Sequence, residues 1–181
     1  MKKQILLRVL LCLTMAVGLL PTMVFASDVT GSGKEGDPYV YEVSTASELS
    51  KAVTAINADP SDSAYYTISL QEDIACSGLS FSKNTTTILG NGHKLTFKNN
   101  GGAIQVGSGT KPYPVLVLGG AQGTLTIEGA SLNDTYFIGV GAINGGTEHG
   151  TLKMYDGVTI TGATSNNYFG GAVIVAGGGT F

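Results

Sequence analysis

Apolar and polar residues alternate in short bursts along most of this chain. After residue 65 the apolar positions fall in runs of three to six residues rich in Ile, Val, Leu, Thr and Tyr, with Gly or Asn between them. That is the pattern of short strands joined by tight turns. It predicts strands at 65–70, 86–89, 94–97, 103–106, 115–118, 124–127, 136–138, 151–155, 158–160 and 172–175, with a further strand-like run at 39–43. One segment breaks the period of two. Leu49, Ala52, Val53 and Ile56 fall at i, i+3, i+4 and i+7, one stripe of a helix, and Thr45 with Glu48 fits a capping box. A helix is therefore predicted over 46–57, ended by the loop Asp59-Pro60-Ser61-Asp62.

The strands repeat. TIEGASLND at 126–134 aligns without gaps on TITGATSNN at 159–167, an offset of 33. Each copy is followed by a Tyr-Phe pair (Tyr136-Phe137, Tyr168-Phe169), then Gly-Ala-aliphatic (Gly141-Ala142-Ile143, Gly171-Ala172-Val173), then Gly-Thr (Gly146-Thr147, Gly179-Thr180). A looser copy runs from Asn99-Asn100 through Gly102-Ala103-Ile104 to Gly109-Thr110. A period of about 30 residues built from strands points to stacked coils. Alternate residues then point inward, so Leu95 and Phe97, Leu125 and Ile127, Leu152 and Met154, and Val158 and Ile160 should pile into apolar columns. Each such side chain contributes roughly 1.5 to 3 kcal/mol on full burial. Thr124, Thr126, Thr151, Thr159 and Thr161 should face out, and Asn99, Asn133 and Asn166 suit left-handed turns whose amides bond from coil to coil.

The first 26 residues have a different character. Lys2, Lys3 and Arg8 precede an apolar run from Val9 to Leu20, and Pro21 breaks it before Val24-Phe25-Ala26. This is the three-part pattern of a secretory signal peptide cleaved after Ala26, and the run is too short for a membrane span. Cys12 follows Leu10-Leu11 and lacks the setting of a lipidated cysteine. Residues 27–38 (SDVTGSGKEGDP) lack apolar periodicity and read as a flexible leader, 39–64 as an N-terminal cap, and 65–181 as the coils.

Composition narrows the function. Of ten basic residues three lie in the signal segment, leaving seven lysines against 13 acids and no arginine, which argues against nucleic acid and anionic membranes. Cys76 is the one cysteine left after cleavage, so no internal disulfide forms, and its apolar neighbours suit a buried role. Gly31-Ser32-Gly33-Lys34 fails as a phosphate loop because Glu35 follows the lysine. Glycoside hydrolysis needs two carboxylates about 5 to 10 Å apart. Glu128, Asp134, Glu148 and Asp156 are scattered, Glu128 and Asp156 precede glycines as turn residues do, and Glu72-Asp73 is the one adjacent acidic pair of the β-region. His93 and His149 sit beside glycines as solvated turn residues, without the spacing of a zinc site. No catalytic, cofactor or metal residue is nominated. Tyr136, Tyr155 and Tyr168 offer rings for stacking on sugars, while Phe137 and Phe169 suit the core.

The signal peptide, the leader GSGKEGDPYVYEVSTASELSKAV, the segment TISLQEDIACSGLSFSKNTTTILGNGHKLTF and the closing GGAVIVAGGGTF together resemble the secreted bacterial right-handed parallel β-helix proteins, the pectin-lyase-like surface and adhesin-like group. The likeness spans residues 31–181. It implies an all-β right-handed solenoid whose first coil is capped by helix 46–57. The same scaffold serves lyases, hydrolases and non-catalytic surface proteins, and the expectation taken from this chain's residues is an exported, non-catalytic cell-surface or adhesin-like protein displaying Thr, Asn and Tyr to glycans or to host and matrix molecules. The family's lyases use Arg or Lys with calcium held by clustered aspartates, whereas 27–181 has no arginine and its β-region no Asp-Asp or Asp-x-Asp pair. The alternatives are the N-terminal part of a polysaccharide lyase or glycoside hydrolase active beyond residue 181, and a spacer that holds another domain off the wall. Residues 172–181 stop partway through a coil, so truncation and end-to-end self-association through that coil are both expected.

Overall fold

The computed structural model describes residues 29–61, 63–98, 103–121, 123–129, 136–143, 146–162 and 172–181. The predicted signal segment, Asn99, Asn133, Asp134, Asn166, Tyr168 and Phe169 lie outside them. Strand β1 (Tyr39–Val43) leads into helix α1 (Ala46–Ala58), and the strands then follow in threes. These are β2 (Tyr65–Leu70), β3 (Ile74–Cys76) and β4 (Leu79–Phe81), then β5 (Thr85–Leu89), β6 (Lys94–Phe97) and β7 (Ile104–Val106). The third set is β8 (Val115–Leu118), β9 (Leu125–Gly129) and β10 (Ile138–Val140), and the fourth is β11 (Gly150–Met154), β12 (Val158–Thr161) and β13 (Val173–Val175), before β14 (Gly179–Thr180).

From β2 onward every third strand joins the same sheet, and β1 pairs with β2 at the edge of the first. The first sheet runs β1-β2-β5-β8-β11-β14, the second β3-β6-β9-β12 and the third β4-β7-β10-β13. All the ladders between them are parallel. The chain is thus an all-β parallel, solenoid-like fold of three-sided coils. Among the described residues no helix is long and apolar enough to cross a membrane.

Alternation places the core. Leu79, Ile104, Ile138 and Val173 stack in the third sheet, and Ile74, Leu95, Ile127 and Ile160 in the second. The first sheet stacks Ile68, Ile88, Leu118 and Met154, beside a column of Tyr66, Thr86, Leu116 and Leu152. Thr86 brings into that column a buried hydroxyl with no hydrogen-bond partner. Of the predicted inward residues, Leu95, Phe97, Leu125, Ile127 and Leu152 are buried, while Met154, Val158 and Ile160 are half-buried and pack against the same core. The columns form within each sheet, so Leu152 lies under Leu116 and Val158 under Leu125. Phe97 faces Gly129, and Phe137 fills the vacated space edge-on, 5.8 Å between centroids at 87°.

The repeat has a structural meaning and a limit. Thr126, Ile127 and Glu128 pair with Thr159, Ile160 and Thr161, so the offset of 33 is the ladder register itself. The later matches do not stack. Val173 pairs with Ile138, Ala142 bridges Gly177, and Gly179-Thr180 pairs with Gly150-Thr151 rather than with Gly146-Thr147. Coil length explains this. Tyr65 to Thr85 spans 20 residues, Thr85 to Val115 spans 30, Val115 to Thr151 spans 36 and Thr151 to Thr180 spans 29, the difference lying in the corners.

Helix α1 closes the first coil. Its buried stripe is Leu49, Ala52, Val53 and Ile56, as the spacing predicts, and Thr45 with Glu48 makes the capping box. Asparagines tie it to the strands. The Asn57 amide donates to the Ser80 carbonyl (2.7 Å) and accepts from the Ser82 N–H (3.0 Å), occupying the outer edge of β4. Asn84, buried with φ +61°, donates to the Ile56 carbonyl and accepts from the Ala64 N–H, each at 3.1 Å. Asn91, with φ +52°, donates to the Leu70 carbonyl (2.9 Å) of the coil before it. Residues 29–38 of the leader make backbone bonds among themselves and to the first coil. Lys34 and Asp37 form a small bridge, the Val40 N–H donates to the Thr30 carbonyl, and the Tyr65 N–H donates to the Gly33 carbonyl.

Candidate functional site

The outer face of the third sheet carries a cleft. Ser80, Gln105 and Gly139 are level with one another on β4, β7 and β10 and point outward, because their neighbours Leu79, Ile104 and Ile138 point in. The corners beside this sheet lengthen after the first coil. Only Ser77 and Gly78 separate β3 from β4, whereas eight residues separate β9 from β10. A cleft of about 350 Å³ beside this face is lined by Ser80, Gln105, Gly107, Tyr136, Ile143 and Glu148.

Glycine makes the floor. A Cβ on Gly139 would lie 2.1 Å from Ile143 Cδ1 and 2.5 Å from Tyr136 Cε2, so the missing side chain lets the Tyr136 ring and Ile143 lie close over β10. The Tyr136 hydroxyl donates to Gln105 Oε1, and Gln105 Nε2 donates to the Gly141 carbonyl at 3.2 Å. Two partners thus fix the amide, and the amide fixes the ring. Burial pushes the Tyr136 hydroxyl above its ordinary pKa, so it stays a neutral donor at physiological pH. Glu148 is the carboxylate among the lining residues, half-buried beside Gly107.

The other residues singled out in the sequence are dispersed. Glu128 is not a turn residue: it lies inside β9 on the outer face of the second sheet, where its Oε2 accepts from Thr96 Oγ1 at 3.2 Å and lies 3.4 Å from Lys94 Nζ. Pairing across a ladder places it there, and the glycine after it ends the strand. Asp156 is an exposed turn residue. Asp73 accepts from the Lys94 N–H at 3.0 Å and lies 3.5 Å from His93 Nδ1. His149 is not a solvated turn residue: its backbone bridges Ser108, and its ring stacks on Tyr113 with centroids 4.4 Å apart. Tyr155 is exposed and is not among the residues lining the cleft, and Cys76 is buried. Among the described residues no three His, Cys, Asp or Glu side chains are grouped to hold a metal ion.

From the sequence, Tyr136 is one of three rings offered for sugars and Glu148 one of the scattered acids, with no site nominated, and Ser80, Gln105 and Gly139 are not singled out. Their only signal is register, which needs coil lengths of 25 residues between Ser80 and Gln105 and of 34 between Gln105 and Gly139. The arrangement can hold a hydroxyl-rich ligand against an aromatic ring, with an amide, a hydroxyl and a carboxylate around it. Fold and cleft together define a parallel β-solenoid with a polar surface site. Comparison with protein-family models, with curated proteins and with solved structures gives no match.

Proposed function

We propose that this chain is an exported, non-catalytic right-handed parallel β-helix of pectin-lyase-like architecture that binds glycans at the cleft on its third sheet. The observation that carries this reading is the Tyr136 ring, seated on Gly139 and fixed through Gln105 beside Glu148. A pinned ring presents an apolar face to the C–H side of a sugar at little cost in conformational entropy, and the polar groups around it take the hydroxyls. Export is supported by the basic head and apolar run of residues 1–26. The lining residues include a single carboxylate, one half of the pair that glycosidic hydrolysis uses, which favours binding over cleavage.

The test is calorimetric titration of the exported protein with a panel of soluble plant, microbial and host polysaccharides. At least one should bind, and Tyr136→Ala should weaken that binding tenfold or more while Tyr155→Ala leaves it unchanged. Release of reducing ends or of unsaturated products from any member of the panel would replace this reading with the lyase or hydrolase one. Binding that survives both Tyr136→Ala and Glu148→Gln would move the site elsewhere.

A further inference from the structure

The outer face of the first sheet has a charge pattern that the cleft does not use. Ile68, Ile88 and Leu118 point into the core, so the residues between them on β2, β5 and β8 point outward. At the centre of the face these are Thr85, Thr87, Val115 and Val117, all β-branched, uncharged and half-buried. Charge appears at the two ends. Glu42 is exposed on β1, and Lys153 is exposed on β11.

The sheet runs β1-β2-β5-β8-β11-β14, and β5 is the middle of its first five strands, the short β14 lying outside them. A two-fold axis running along β5 lays the sheet on itself with β1 over β11 and β2 over β8 of a second copy, strands still parallel. Lys153 is level with Thr87, and Glu42 is level with Leu89. The two charges are therefore offset by two residues along the strand, about 7 Å, within the reach of a lysine stem. Each Glu42 meets a Lys153, twice by symmetry, and Thr87 meets Thr87 on the axis. A carboxylate has about four acceptor positions, so Glu42 can take this lysine alongside partners in its own chain.

We propose that two copies of this chain associate through the outer faces of their first sheets, in the antiparallel stacking order that sets Glu42 against Lys153. The five overlaid strands, at about 4.8 Å spacing and about 20 Å long, present roughly 500 Å², below the ~800 Å² per partner of a standard interface. The pair is therefore weak and concentration-dependent. The reading is independent of the glycan cleft, which lies on a different sheet.

The test is sedimentation velocity of the exported protein from micromolar to millimolar concentration, with circular dichroism to confirm that each variant is folded. The average mass should rise toward that of two copies, and added salt should lower it. Lys153→Glu and Glu42→Lys should each weaken association tenfold or more, and the double exchange E42K/K153E should restore it. Thr87→Lys, which sets two cations against each other on the axis, should abolish it. A protein that stays monomeric throughout overturns the proposal. So does association that ignores the single reversals, or that the double exchange fails to restore.

Discussion

The Cys76 thiol is shut between Ile74 and Leu79 in sequence and level with Phe97 in the ladder. Burial pushes its pKa from the usual value near 9.0 up to about 11, because the thiolate has no solvent to stabilise it. A thiol-specific reagent at pH 8 should therefore label the folded protein only as fast as it opens, and label the urea-unfolded chain at once. The same shift has a sign. A folded pKa above the unfolded one leaves its contribution intact below pH 9 and removes it as the pH climbs toward 11. Tyr66 and Tyr41 act in the same direction from about pH 10. Burial raises both, with the hydrogen bond to Asp59 adding to Tyr66 and the charge of Asp59 adding to Tyr41. The thermal midpoint should fall steadily above pH 9, and Cys76→Ala should flatten the first part of that fall. An unchanged profile in the variant would show that the thiol contributes nothing to it.

At the scale of the element, the capping box of α1 is the clearest case of sequence chemistry becoming structure. Thr45 Oγ1 accepts from the Glu48 N–H at 3.2 Å, and Glu48 Oε2 accepts from the Ser44 and Thr45 N–H groups at 2.9 and 3.1 Å. The Ser44 backbone bond, followed by the Thr45 hydroxyl, holds the Glu48 carboxyl below its ordinary pKa, so this support is present at neutral pH and lost as acid protonates it. Thr45→Ala should lower the stability by about 1 kcal/mol, read as a shift in the urea midpoint. A neutral result would mean that the helix is held by its apolar stripe alone. Helix and strands of four or more residues were legible because each carries enough positions to show a period: 46–57 is observed as Ala46–Ala58, and 65–70, 94–97 and 115–118 as Tyr65–Leu70, Lys94–Phe97 and Val115–Leu118. β3 and β4 were not, since IAC and LSF belong to the short first coil, which lies outside the sequence repeat that marks the equally short β7 and β13. The cleft was less legible still. Tyr136 carries a recognisable chemistry, but its supports Gly139 and Gln105 gain theirs from corners of unequal length that no fixed period predicts.

Among the described residues, burial is graded along the columns of the second and third sheets. Ile74, Leu95 and Ile127 are buried in one column, whereas Ile160 beneath them is half-buried, and in the third sheet Val173 is likewise half-buried below Ile138. Truncating a fully buried member of a column costs both transfer energy and a cavity, while truncating a half-buried one costs only a share of the transfer. Ile127→Ala should therefore destabilise by about 2 to 5 kcal/mol and Ile160→Ala by distinctly less. Amide exchange should be fastest in β12 and β13 and slowest in β5 to β9. Equal costs at the two positions would contradict a graded core.

The Asn57 carboxamide, seated where a neighbouring strand would bond to β4, gives the third sheet a polarity of growth. One side chain imitates two backbone groups of an absent neighbour, so an extended peptide drifting against that edge finds its donor and acceptor already engaged. A stack of parallel strands is a natural seed for fibrils, and here a single amide on a helix blunts it.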